Sequence, residues 1–143
     1  MSFPTPIELK KILIARGFEV YRTLSNRVQL AERVRDNLLM DGNVSAWTGD
    51  KLAVRFVTRA QHNDFPSETE EQLLDRARAC AALAIQRGYQ EVDRAVVPIY
   101  DPGDATKTLD TWYEVTFGRP VADLEELFLE LRFALNLDKI VSG

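Results

Sequence analysis

Residues 25–42 read SNRVQLAERVRDNLLMDG, and the way this stretch folds decides the architecture. Ser25 is a suitable helix cap. Val28, Ala31, Val34 and Leu38 then recur close to one helical face, and Asp41-Gly42 supplies a stop. The spacing predicts a helix from Asn26 to Met40.

Working outward, FEVYRTL (18–24) is rich in β-formers and predicts a strand before that helix. Behind it, residues 44–48 and 52–59 read as a hairpin around Gly49-Asp50. A second helix is expected from a capping box at Ser67 and Glu70, with Glu68, Glu70 and Glu71 in the first turn. Gly88 is its stop. Strands 91–100 and 109–117 then flank the loop DPGDATK. Pro98 lacks a backbone donor, so its strand belongs at an edge or a bulge. At the start, Thr5, Pro6 and Glu8 form a capping box with proline at the first helical position, predicting a helix from Pro6 to Arg16 that Gly17 ends. A last helix runs from about Pro120 to Leu135.

The centre of this order is β-α-β-β-α-β. The expected fold is therefore α+β with a ferredoxin-like βαββαβ core, an antiparallel sheet with its helices on one face. An extra N-terminal helix, a fifth strand and a C-terminal helix are added to it. Residues 1–143 are read as a single domain, a usual size for one. Such folds host many unrelated functions, so the order by itself carries no chemistry.

Composition narrows the classes of function. Hydrophobic residues make up 45% of the chain, which is globular rather than disordered. One cysteine permits no internal disulfide, and one histidine permits no His-rich metal site within a chain. The start, MSFPTPIELKK, lacks the basic and apolar regions of a secretory signal. No apolar run approaches the roughly 20 residues that span a bilayer. These features point to a cytoplasmic protein with no membrane partner. The net charge of −4 argues against nucleic acid.

No phosphate-binding glycine loop, zinc-protease helix or nucleophile elbow occurs in the chain. No cofactor and no metal site are expected, and the reading favours a non-catalytic role. Cys80 falls among the alanines of its helix and reads as a small core residue. His62, with Asp64 two residues on, has the residue types of a general base. Phe65-Pro66 and the cap that follows make it a polar connector instead. Asp101 and Asp104 read as turn residues, not cation ligands.

Alternation on the strands is more informative. If Leu52, Val54 and Phe56 face the helices, the opposite face carries Trp47, Arg55, Arg59 and Trp112. Trp and Arg are favoured anchors at protein interfaces. The last helix adds Leu129 and Phe133, which lie off its main apolar stripe of Leu124, Leu127, Phe128 and Leu131. An apolar patch beyond one stripe marks association, and a homodimer is its commonest form. The expectation is a binding or adaptor protein, a homo-oligomer, using Trp47, Arg55, Arg59, Trp112, Leu129 and Phe133 toward a protein partner. The alternative is a small-molecule site or enzyme in which Arg55, Arg59 and His62 hold an anion. Single-stranded nucleic acid ranks third. The RNA-recognition motif shares the expected topology, but its aromatic signature is absent from LAVRFVTR (52–59).

Overall fold

The computed structural model describes residues 3–36 and 38–142, with the backbone alone at residues 34 and 138–142. Its elements are α1 (Pro6–Ala15), β1 (Val20–Thr23), β2 (Arg27–Arg35), β3 (Leu38–Trp47) and β4 (Leu52–Gln61). After these come α2 (Glu70–Ala79), α3 (Ala82–Gln86), β5 (Gln90–Asp101), β6 (Asp104–Val121) and α4 (Leu124–Ser142). The class is α+β. The six strands form an antiparallel sheet in the order β1-β2-β3-β4-β6-β5.

The stretch at residues 25–42 departs from its reading. It forms β2 and the start of β3, not a helix. Val28 and Leu30 are buried while the alternating Arg27 and Gln29 are half-exposed, which is the two-residue period of a strand. Leu, Ala, Glu, Arg and Gln are good helix formers. Local preference loses here because β2 is bonded on both sides, to β1 and to β3. A ferredoxin-like core needs a crossover helix at this point, so that core is not confirmed, and the sheet has one strand more than expected.

A bulge hid the strand period. Gln29 pairs with Ser45 but Ala31 pairs with Asp41, so extra residues accumulate on β3. Asn43 sits there at φ 59°, and its amide donates to Asp41 Oδ1 at 2.9 Å. A Cβ on Gly42 would lie 3.2 Å from the Leu30 carbonyl oxygen, which explains the glycine. The Asp-Gly pair that reads as a helix stop is part of this bulge.

Other boundaries shift for identifiable reasons. The cap of α2 is Thr69 with Gln72, a complete capping box two residues beyond Ser67 and Glu70. A 3-10 turn at His62–Asp64 takes up part of the preceding connector. The loop 101–107 shrinks to a tight turn, because Asp101 Oδ1 accepts from the Gly103 amide and Asp104 Oδ1 from Thr106. Those Thr106 hydrogen bonds hold the Asp104 carboxyl below its usual range. Pro120 ends β6 instead of opening α4. The Thr5–Glu8 box and Gly17 at φ 91° stand as read, and so do Gly49 at the β3–β4 turn and Pro98 on the sheet-edge strand β5.

The backbone clusters into two compact units. One comprises Met1–Phe56 with Gly118–Gly143, the other Val57–Phe117. In the first, α1 packs on β1 and β2, and α4 on β3. Leu9 and Leu13 of α1 and Leu127, Phe128 and Leu131 of α4 are buried, as are Val28, Leu30, Ala46, Leu52 and Val54 of the strands. Burying one such leucine contributes roughly 1.5–3 kcal/mol. In the second unit, Leu73, Leu74 and Ala77 of α2 are buried, together with Ala84, Tyr89, Val115 and Phe117. No helix among the described residues is long and apolar enough to cross a membrane.

Candidate interaction surface

Within the first unit the sheet has two unlike faces. Along β4 the residues from Leu52 to Phe56 alternate between buried and half-exposed. The buried set carries the core. The other set continues across neighbouring strands in two rows fixed by register. Arg22 pairs with Gln29, Gln29 with Ser45, and Ser45 with Arg55, spanning β1 to β4. Beside this row, Arg27 pairs with Trp47 and Trp47 with Ala53.

Trp47 is the centre of the face. The Arg55 guanidinium lies 4.0 Å from its ring centroid and that of Arg27 4.7 Å away. These are cation–π distances. The indole Nε1 donates to Ser45 Oγ at 2.8 Å, which fixes the ring. Arg22 donates to Gln29 Oε1, and Arg27 donates to Asn26 Oδ1 at 2.9 Å.

Charge on this face is one-sided. Arg16, Arg33, Arg59, Arg76, Arg78 and Arg119 each pair with a carboxylate elsewhere in the protein. Among the described residues no carboxylate pairs with Arg22, Arg27 or Arg55. An acidic chain thus carries a local basic face built around a tryptophan.

Arg59 and Trp112 belong to the second unit and form a separate cluster. The Arg59 guanidinium lies 4.3 Å from the Trp112 centroid and donates to Glu114 Oε2 through Nε at 2.7 Å and through Nη2. Trp112 Nε1 donates to Asp110 Oδ2 at 3.1 Å, and Asp110 Oδ1 accepts from the Asn63 amide. Arg59 is therefore neutralised in place. The cluster ties β6 to the turn that bears His62 and presents no free cation.

The residues read as an anion site, Arg55, Arg59 and His62, fall in different units. Arg55 is in the first unit, Arg59 is committed to Glu114, and among the described residues no hydrogen bond reaches the His62 imidazole. A cleft of about 460 Å³ in the first unit is lined by Arg16, Phe18, Glu19, Arg33, Gly42 and Arg132 among others, and by none of those three. Cys80 is half-exposed at the end of α2, not a core residue, because its helix stops there; its thiol donates to the Arg76 carbonyl at 3.5 Å. No group of His, Cys, Asp and Glu fit to hold a metal occurs among the described residues.

On α4, Leu129 is 56% exposed while Phe133, one turn on, is half-buried. Sequence reasoning found Trp47 and Arg55 but missed Arg22, Arg27 and Gln29. Arg27 and Gln29 were assigned to a helix. The usable signal was Val28 and Leu30 flanking Gln29, an alternation that places Arg27 beside the tryptophan strand.

Comparisons of the chain with protein family models, with curated proteins and with solved structures found no match.

Proposed function

We propose that this chain is a non-catalytic binding or adaptor protein of the cytoplasm, whose contact surface is the half-exposed sheet face around Trp47 in its first unit. The observation that carries this reading is the arginine pair over Trp47. Stacked guanidinium and indole groups are already ordered, so they lose little conformational freedom when a partner covers them. Arg59 and Trp112 have the same residue types, but with Glu114 they form a closed, neutral cluster that serves the second unit's own packing.

The test places a photo-crosslinking amino acid at Ala53, the half-exposed neighbour of Trp47. Irradiation in the native host is expected to trap defined protein partners. The same partners should be lost from a Trp47→Ala chain that keeps its circular dichroism. Products unchanged by Trp47→Ala would refute the surface.

Self-association is the second part of the proposal and rests on Leu129 and Phe133. An exposed leucine one turn from a half-buried phenylalanine gives α4 an apolar strip outside its buried stripe. The wild-type chain should sediment as a dimer at micromolar concentration, and Leu129→Arg should sediment as a monomer with unchanged thermal stability. A monomeric wild type at that concentration removes the dimer and leaves the sheet-face proposal untouched.

A further inference from the structure

We infer that the partner seated on the Trp47 face is an extended, acidic segment of protein. This rests on the binding reading above and adds the chemistry of the occupant. Three arginines share the face and none has a carboxylate partner among the described residues, in a chain whose net charge is −4. Electrostatic complementarity therefore calls for carboxylates from outside. Guanidinium forks match carboxylates with two parallel hydrogen bonds, and these are stronger than neutral ones. Arginine held over an aromatic ring is preorganised for such a contact.

Spacing supports an extended occupant. Arg22 and Arg55 sit on β1 and β4 of one cross-strand row. Three strand spacings separate them, about 14 Å. Four residues of extended chain cover about 13 Å. A segment with acidic side chains four residues apart would thus reach both arginines while crossing Gln29 and Ser45, neutral groups able to bond its backbone. Arg27 would meet a third carboxylate near Trp47.

The same features disfavour single-stranded nucleic acid. Base recognition there relies on open aromatic faces, usually several. Trp47 is the one tryptophan of this face, and two guanidinium groups already lie within 5 Å of its ring centroid. A base would have to displace a cation before it could stack.

The experiment uses the full chain and fluorescence anisotropy of two labelled probes, a 12-residue peptide alternating Glu and Ser and a dT12 oligonucleotide. The peptide is expected to bind, to weaken as salt rises, and to lose at least tenfold in affinity to an Arg27→Ala/Arg55→Ala chain that melts like wild type. Arg94→Ala, an exposed arginine of the second unit, should bind as wild type does. Tighter binding of dT12 than of the peptide would overturn the inference in favour of nucleic acid. Peptide binding that the double substitution leaves unchanged, or no binding at 100 µM, would overturn it too. In either case loss of crosslinked partners from the Trp47→Ala chain would still uphold the contact surface with a partner of another chemistry.

Discussion

Alanine at Arg119 is expected to lower the free energy of unfolding by about 3–5 kcal/mol, the usual cost of breaking a buried ion pair from one side. Arg119 lies near the end of β6, and its Nη1 is 2.8 Å from Oε2 of Glu130 on α4. Glu130 is only 1% exposed, between the buried Leu127 and Leu131. Its carboxylate cannot turn to water without displacing the core of the first unit. Glu126, 3.5 Å from Arg119 Nη2, adds a second acid to the same guanidinium. In the alanine chain Glu130 keeps its burial and loses this countercharge. For a chain of this size the melting temperature should fall by about 10–20 °C. The pair is not a net source of stability relative to an apolar one, because both charges had to be desolvated. Replacing the two together, Arg119→Met with Glu130→Leu, should recover most of the loss. Urea unfolding measures all three chains. A loss below about 1 kcal/mol for Arg119→Ala would show that Glu130 is compensated without Arg119 and that the pair does not pin β6 to α4.

The sequence was most readable where local chemistry is self-contained. The Thr5–Glu8 box starts α1 because both of its hydrogen bonds are made within four residues. The backbone bond from Thr5 also holds the Glu8 carboxyl below its usual range. Gly49 turns β3 into β4 at φ 144°, a conformation that L side chains rarely adopt. The alternation of β4 separates core from surface with no gap, and the two sides fall as their residue types demand. Reading failed where the outcome depended on distant pairing. Residues 27–35 have helix-forming composition, and only β1 and β3 on either side make a strand of them. The Ser67–Glu70 pair had the right residue types for a cap, but Thr69 with Gln72 offered the same chemistry two residues later and won.

The candidate surface was half legible for the same reason. Trp47 and Arg55 flank a hairpin turn that the sequence marks plainly, so their shared face could be read from alternation. Arg22 and Arg27 join that face through long-range register, which no local pattern encodes. Spacing on β4 also made Arg55 and Arg59 look alike. Their neighbours differ: Arg59 has Glu114 within hydrogen-bond reach, while Arg55 has only the ring of Trp47 among the described residues. Whether a cation is neutralised at home decides whether it can recognise a partner, and that difference separates the candidate surface from the structural cluster.

Leu30→Ala should cost about 2–5 kcal/mol, and Leu38→Ala well under 1 kcal/mol. The contrast follows from the strand assignment of residues 27–47. Leu30 is 0% exposed, in the core that β2 shares with α1. Truncating it removes three buried carbons and leaves a cavity beneath α1. Leu38 opens β3 at 40% exposure, so its side chain is already largely in water. A helix over residues 26–40 would not give this contrast. On a helix, residues 30 and 38 are eight apart and lie only about 80° from each other, so both leucines would sit on or beside the buried stripe and both truncations would be costly. The two substitutions delete the same atoms from the same residue type, so intrinsic propensity cancels and only position remains. Equilibrium urea unfolding with a common m-value reads the difference directly. A loss at Leu38 as large as that at Leu30 would overturn the β2–β3 pairing. The Arg22–Gln29–Ser45–Arg55 row would go with it, and so would the case for an acidic partner on that face.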